Sequence, residues 1–210
     1  MNVLVIILSI LVIVASILYF SALKEIKGLE AKAKAKAKED VNISSEIKKE
    51  SDILNLFSGS EKILLSKLDG RTTIAKAENV FKSYISSDFE NWGLNRKSKA
   101  TLETEVGVYE MVKSATFKDM FTSLSDDLNL LCLTQDQIID FCKKHRSHLR
   151  QGGYGTFFLT KKDFEKSATE DNLFVVHVRV RSNGLTVRVD HFGYVHVWGA
   201  DARHRVVVPN

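Results

Sequence analysis

The sequence predicts an α+β domain, with helices packed on a C-terminal antiparallel β-meander, behind an N-terminal transmembrane helix and a helical stalk. Three observations predict it. Residues 3–23 form an almost unbroken apolar run. Residues 115–149 carry apolar side chains three and four apart, the spacing of a helix face. From residue 154 onward the apolar period drops to two, punctuated by glycine and by Asn183-Gly184, as in strands joined by tight turns. Helices first and strands afterwards is the α+β order.

The N-terminal run LVIILSILVIVASILYF holds no charge. A helix of about 20 residues rising ~1.5 Å each matches a hydrocarbon core of ~30 Å. A core helix of a soluble domain would carry a polar stripe, and this one has none. Only Met1 and Asn2 precede the run, so the basic start of an export signal is missing. Phe20 also occupies a position that cleavage after Ala22 would require to be small. The segment therefore reads as an uncleaved single-span anchor, with the lipid bilayer as its partner. Tyr19 and Phe20 fall where an interfacial aromatic belt sits. Lys24, Lys27, Lys32, Lys34, Lys36 and Lys38 follow at once. Lysines on that flank alone predict the N-terminus outside and the C-terminal domain in the cytoplasm. Two cysteines without a disulfide framework suit a reducing compartment, although Cys132 and Cys142 can still pair with each other. The sequon Asn42-Ile43-Ser44 matters only on a luminal side.

Residues 24–69 read as a stalk or linker. The AKAKAKAK repeat is rich in helix formers and polar nearly all round, with no sustained heptad seam. Its lysines can touch anionic headgroups. Short helices are expected in residues 41–69, on either side of Ser58-Gly59-Ser60.

Residues 70–210 read as the globular domain. Thr72 or Thr73 caps a helix through Ile74, Ala77, Val80, Phe81 and Ile85. Residues 88–95, with Phe89 and Trp92, read as a packed loop. Residues 101–112 are rich in β-formers and read as a strand. Phe117, Met120, Phe121 and Leu124 make one helix face. Thr134 with Gln137 three residues on is a capping box that opens a second helix through Ile138, Phe141, Cys142, His145 and Leu149, closed by Gly152-Gly153. Strands follow at 154–160, 173–181, 185–189, 194–198 and 203–208, in a meander with one wet face.

No catalytic set emerges. There is no nucleophile elbow and no cysteine in an activating context, and Asp190 and His191 are strand neighbours that point to opposite faces. The chain is read as non-enzymatic, with no catalytic residue, metal or cofactor assigned. All six histidines lie between His145 and His204, which raises the alternative of a metal-dependent enzyme. Cys142, His145 and His148 are spaced i, i+3, i+6 on the second helix, so two of them could ligate one Zn²⁺, with a third ligand from His177, His191, His196 or His204. Against it, Cys142 and His145 fall on the core stripe and His148 lies among cations. Gly152-Gly153-Tyr154-Gly155 follows a helix instead of preceding one, so it is a turn and not a phosphate cradle.

The candidate binding residues are on the polar side of the last strands: His177, Arg179, Arg181 and Arg188, with Arg203 or Arg205 as possible neighbours, and Tyr194, His196 and Trp198. Arginines beside aromatics bind anions by forked hydrogen bonds and stacking. The alternative is a solvated sheet face balanced by Asp190 and Asp201, or one covered by the helices. The net charge of +4 comes largely from lysines near the membrane and adds little. A protein partner or self-association is favoured over nucleic acid or another anion.

The runs LCLTQDQIIDFCKKHRSHLRQGGYGTFFL and ARHRVVVP resemble segments of small, uncharacterised bacterial proteins that have an N-terminal hydrophobic segment before a similar C-terminal domain. The resemblance covers about the last two-thirds of the chain and implies no activity and no site residue. The first expectation is an anchored domain that binds another macromolecule. The alternative is a structural subunit of a membrane-associated or surface assembly whose N-terminal helices pack together.

Overall fold

The computed structural model describes residues 51–59 and 61–210. The expected anchor at residues 1–23 and most of the expected stalk lie outside the described residues. Among the described residues, no helix is long and apolar enough to cross a membrane.

The fold is α+β, built on a mixed, mostly antiparallel sheet of eight strands. In chain order these are β1 (Leu54–Leu56), β2 (Ile63–Leu65), β3 (Tyr84–Ile85), β4 (Thr104–Met111), β5 (Gly155–Lys161), β6 (Leu173–Arg181), β7 (Gly184–His191) and β8 (Arg205–Pro209). The helices are few: α1 (Asp88–Asn91), α2 (Phe117–Thr122) and α3 (Gln135–Lys144). The sheet order is β1-β4-β8-β5-β6-β7-β3, and β2 pairs with β4 beside β1.

Strands 5, 6 and 7 are the expected meander. The rest of the sheet departs from it. β8 inserts between β4 and β5, antiparallel to the first and parallel to the second. β3 lies parallel on the edge of β7. β1 and β2 replace the short helices expected upstream of residue 70, because each donates a row of backbone groups to β4.

Both faces of the sheet are covered, which overturns the single wet face. One face carries Val106, Val108, Phe158, Val176, Val178, Val187 and Val207 beneath α3 and residues 71–95. The other carries Tyr109, Met111, Phe157, Val175, Val206 and Val208 beneath α2 and residues 115–131. Strand residues of both parities are therefore apolar through the middle of β5 and β6.

The capping boxes explain where two helices start. Thr134 accepts from the Gln137 N–H at 3.3 Å while Gln137 accepts from the Thr134 N–H at 2.9 Å. Thr116 and Asp119 do the same for α2. The helix expected from Ile74 to Ile85 is not formed. A 3-10 turn spans Ile74–Lys76, and the chain then pairs with β7 through Ser83 N–H to Leu185 C=O and Ser86 N–H to Val187 C=O. The open edge of β7 outcompetes local helix propensity. Residues 88–95 hold the four-residue α1 in place of a plain loop. Gly152 and Gly153 take φ of 76° and 82°, but α3 has already ended at Lys144, so they turn the chain into β5 and do not cap the helix. The β6–β7 hairpin pairs Arg181 with Gly184, so its loop is Ser182-Asn183, with Gly184 at φ 135°. The register is one residue away from an Asn-Gly turn.

Candidate anion-binding face

On β6 and β7 the pairing His177↔Arg188, Arg179↔Thr186 and Arg181↔Gly184 places His177, Arg179, Arg181 and Arg188 on one face. This is the α2 face. Towards the hairpin tip the covering layer ends, and the side chains grade from buried to open. His177 is 4% exposed, Arg179 is half-buried, and Arg181 and Arg188 are exposed.

His177 is therefore a buried support and not a solvated contact. Burial first, then the neighbouring Arg179, His204, Arg188 and Arg181, push its imidazole down to about 2. The neutral ring accepts a hydrogen bond at Nε2 from Arg179 Nε–H, 2.9 Å away. That bond assigns the ring proton to Nδ1, which faces the Asp190 carboxylate at 3.9 Å. Burial raises the Asp190 carboxyl. Asp190 thus lies on the face of His177, while His191 turns to the other face and stacks on Trp92 and Phe174. The Arg179 guanidinium is destabilised by burial and then by Arg181 and Arg188. Mutual repulsion among these cations is only partly offset by Asp190.

The aromatic residues line up beside them. Tyr194 stacks on His196 at 5.9 Å between centroids, His196 meets Trp198 edge-on at 4.8 Å, and Trp198 meets His177 edge-on at 5.2 Å. Tyr194, His196 and Trp198 share a side as expected, but residues 194–198 do not form a strand. Only Trp198 bridges to Ala115, so the Trp198 ring is held in the core instead of facing outward. Its Nε1 donor is buried and has no acceptor among the described residues. Tyr194 and His196 remain exposed.

The third wall is Gly152-Gly153-Tyr154-Gly155. A Cβ on Gly153 would stand 2.9 Å from Arg181 Nη1, and one on Gly155 would stand 2.5 Å from His177 Nε2. The glycines are where the histidine and arginine side chains need room. The Gly155 N–H donates to His204 Nδ1 at 2.9 Å. Burial pushes His204 down to about 4. Arg150 lies over the Tyr154 ring at 5.1 Å, anchored by its Nε–H to the Ala202 carbonyl. Periodicity brought Asp190 to this face but not Arg150, Tyr154, Gly153, Gly155 or His204. The glycine cluster was the one available signal, and its meaning depends on β5 lying beside β6.

Arg203 and Arg205 do not join. Arg203 occupies a left-handed turn at φ 48° and reaches Glu110 at 3.4 Å. Arg205 is buried towards the α3 face, 3.5 Å over the Phe57 ring and bonded to the carbonyls of His148 and Leu149.

The histidine–cysteine group is dispersed. Cys142 is buried, with its thiol pushed up by burial. His145 lies beyond the helix end against the Leu64 carbonyl, and His148 faces Glu61 at 3.1 Å. Among the described residues, no three His, Cys, Asp or Glu side chains stand together as a metal-binding group. No family model, curated protein or solved structure matches this chain.

Proposed function

We propose that the chain is a single-span membrane-anchored protein whose α+β domain binds another macromolecule without catalysing a reaction. The partner is an acidic protein surface, docked on Arg179, Arg181 and Arg188 with Tyr194 and His196 at the rim. One observation carries this reading: three guanidiniums share a sheet face, and the most buried of them is held by a neutral histidine. A guanidinium fixed at Nε presents its terminal nitrogens as a fork, which matches carboxylates. A protein is favoured over a nucleic acid because Trp198 and His177 are buried, which leaves only Tyr194 and His196 at the rim for base stacking.

The test is cross-linking from native membranes with the full chain. The unaltered chain should capture a protein partner that Arg181→Glu combined with Arg188→Glu no longer captures. Capture that survives the double reversal, or that disappears on nuclease treatment, would remove this reading.

A further inference from the structure

At the other end of β5 lies a second cationic feature. Seven strand residues at ~3.3 Å each put it about 20 Å from Gly155. A cleft of about 240 Å³ is lined by Arg96, Lys97, Lys99, Lys161 and Lys162, with Asp163 and Glu165 on the same wall. The two carboxylates are already engaged. Glu165 pairs with Lys99 at 2.7 Å, tying one loop to the other across the cleft. Asp163 accepts the Glu165 N–H at 3.0 Å and faces Lys166 at 3.6 Å. Lys161 is held by Asn129 Oδ1 and by the carbonyls of Phe164 and Lys166. Arg96, Lys97 and Lys162 have no side-chain acceptor among the described residues.

The floor is built as well as charged. Gln135, the first residue of the ten-residue α3, lines the cleft. Its buried amide accepts the Ile74 N–H at 2.9 Å and donates to the Leu94 carbonyl, so it is fixed. The backbone N–H groups of Gln135 and Asp136 meet no described acceptor, which leaves the positive end of α3 at this floor. The Asp136 carboxylate at the same end is engaged by the Gly70 N–H at 3.1 Å. The Lys162 stem lies beside Gly93, where a Cβ would stand in ordinary van der Waals contact, 3.4 Å from Lys162 Cε.

We infer that this cleft is a second anion site, separate from the arginine face, which takes a small phosphate-bearing molecule gripped by Arg96, Lys97 and Lys162. A phosphate group concentrates up to two negative charges on three acceptor oxygens, which suits converging cations in a small concave space.

The test titrates the full chain in detergent micelles with inorganic pyrophosphate at constant ionic strength, read by calorimetry. One saturable site is expected. Arg96→Ala and Lys162→Met should each weaken Kd about tenfold, the loss of one charge-assisted contact. Lys162→Met keeps the stem packed beside Gly93, and Lys97→Met on the exposed rim serves if the other variants fail to fold. Lys118→Met and Arg181→Glu should leave Kd unchanged, which separates this site from the proposed docking face. A short-chain phosphoinositide that displaces pyrophosphate identifies a lipid headgroup as the source. Failure to displace it identifies a soluble phosphate compound, and either result upholds the site. Absence of saturable binding, or binding insensitive to Arg96, Lys97 and Lys162, overturns it.

Discussion

Gly155 lies where β5 begins, directly across from Arg179 and within a Cβ's reach of the His177 ring. The conformation asks for no special freedom here; the space does. Gly155→Ala would press a methyl to 2.5 Å from Nε2 and 2.8 Å from Phe157 Cε1. Overpacking at such a site costs about 1–3 kcal/mol, and urea unfolding should show that loss. A drop in partner capture should accompany it, since the displaced ring is the one that holds Arg179. His204 and His177 also impose a pH dependence. Folded His204 is held to about 4 against an ordinary 6.5. Between those values the unfolded chain binds a proton that the folded chain refuses. Stability is therefore full above about pH 6.5 and falls as acid is added towards pH 4, with His177, held to about 2, extending the loss further. The raised Asp190 carboxyl acts in the opposite sense. Each histidine contributes up to about 2 kcal/mol of loss between pH 7 and pH 5, so unfolding free energy should fall on the order of 2–4 kcal/mol over that range, and His204→Gln should remove about half of the fall.

At the level of elements, α3 is tied down by polar bonds at several points. Its buried Asp140 accepts the Ser66 N–H at 2.9 Å, and its capping residue Gln137 reaches Thr104 at 3.0 Å. Thr134→Ala removes the cap and should cost about 1 kcal/mol, measured by thermal or urea unfolding. A variant of unchanged stability would mean that packing alone sets where α3 begins. The capping box was legible because both partners lie within one turn of each other. The segment after Ile74 was misread because its apolar spacing fits a helix, while its backbone partners, Leu185 and Val187, are a hundred residues away in sequence. Residues 194–198 alternate as a strand would, yet only Trp198 finds a bridging neighbour. Alternation shows which side chains share a side and does not supply a partner strand.

For the whole molecule, attachment to a membrane through a helix rests on residues 1–23, since no described helix can cross one. Deleting residues 1–23 should release the chain into the soluble fraction. Sedimentation with membranes through high-salt and carbonate washes would contradict the anchor. Protease access to the domain in sealed, right-side-out vesicles would contradict the cytoplasmic placement expected from the lysine flank. The described domain has two cores, one on each side of the sheet, and the proposed docking face lies where the α2-side layer stops.

The local features were written in the sequence by itself: the apolar run, the helix capped by Thr134 and Gln137, the β6–β7 hairpin and the shared side of His177, Arg179, Arg181 and Arg188. Each depends on residues within a few positions of one another, through helical or strand periodicity and short hydrogen-bonded motifs. Tertiary structure alone decided the rest. Strand insertion and coverage of both sheet faces depend on contacts between distant segments, and so does the burial of His177 and Trp198. Local periodicity cannot encode which backbone edge another segment will reach, and that choice turned an expected row of solvated contacts into a buried histidine supporting a half-buried arginine beside two exposed ones.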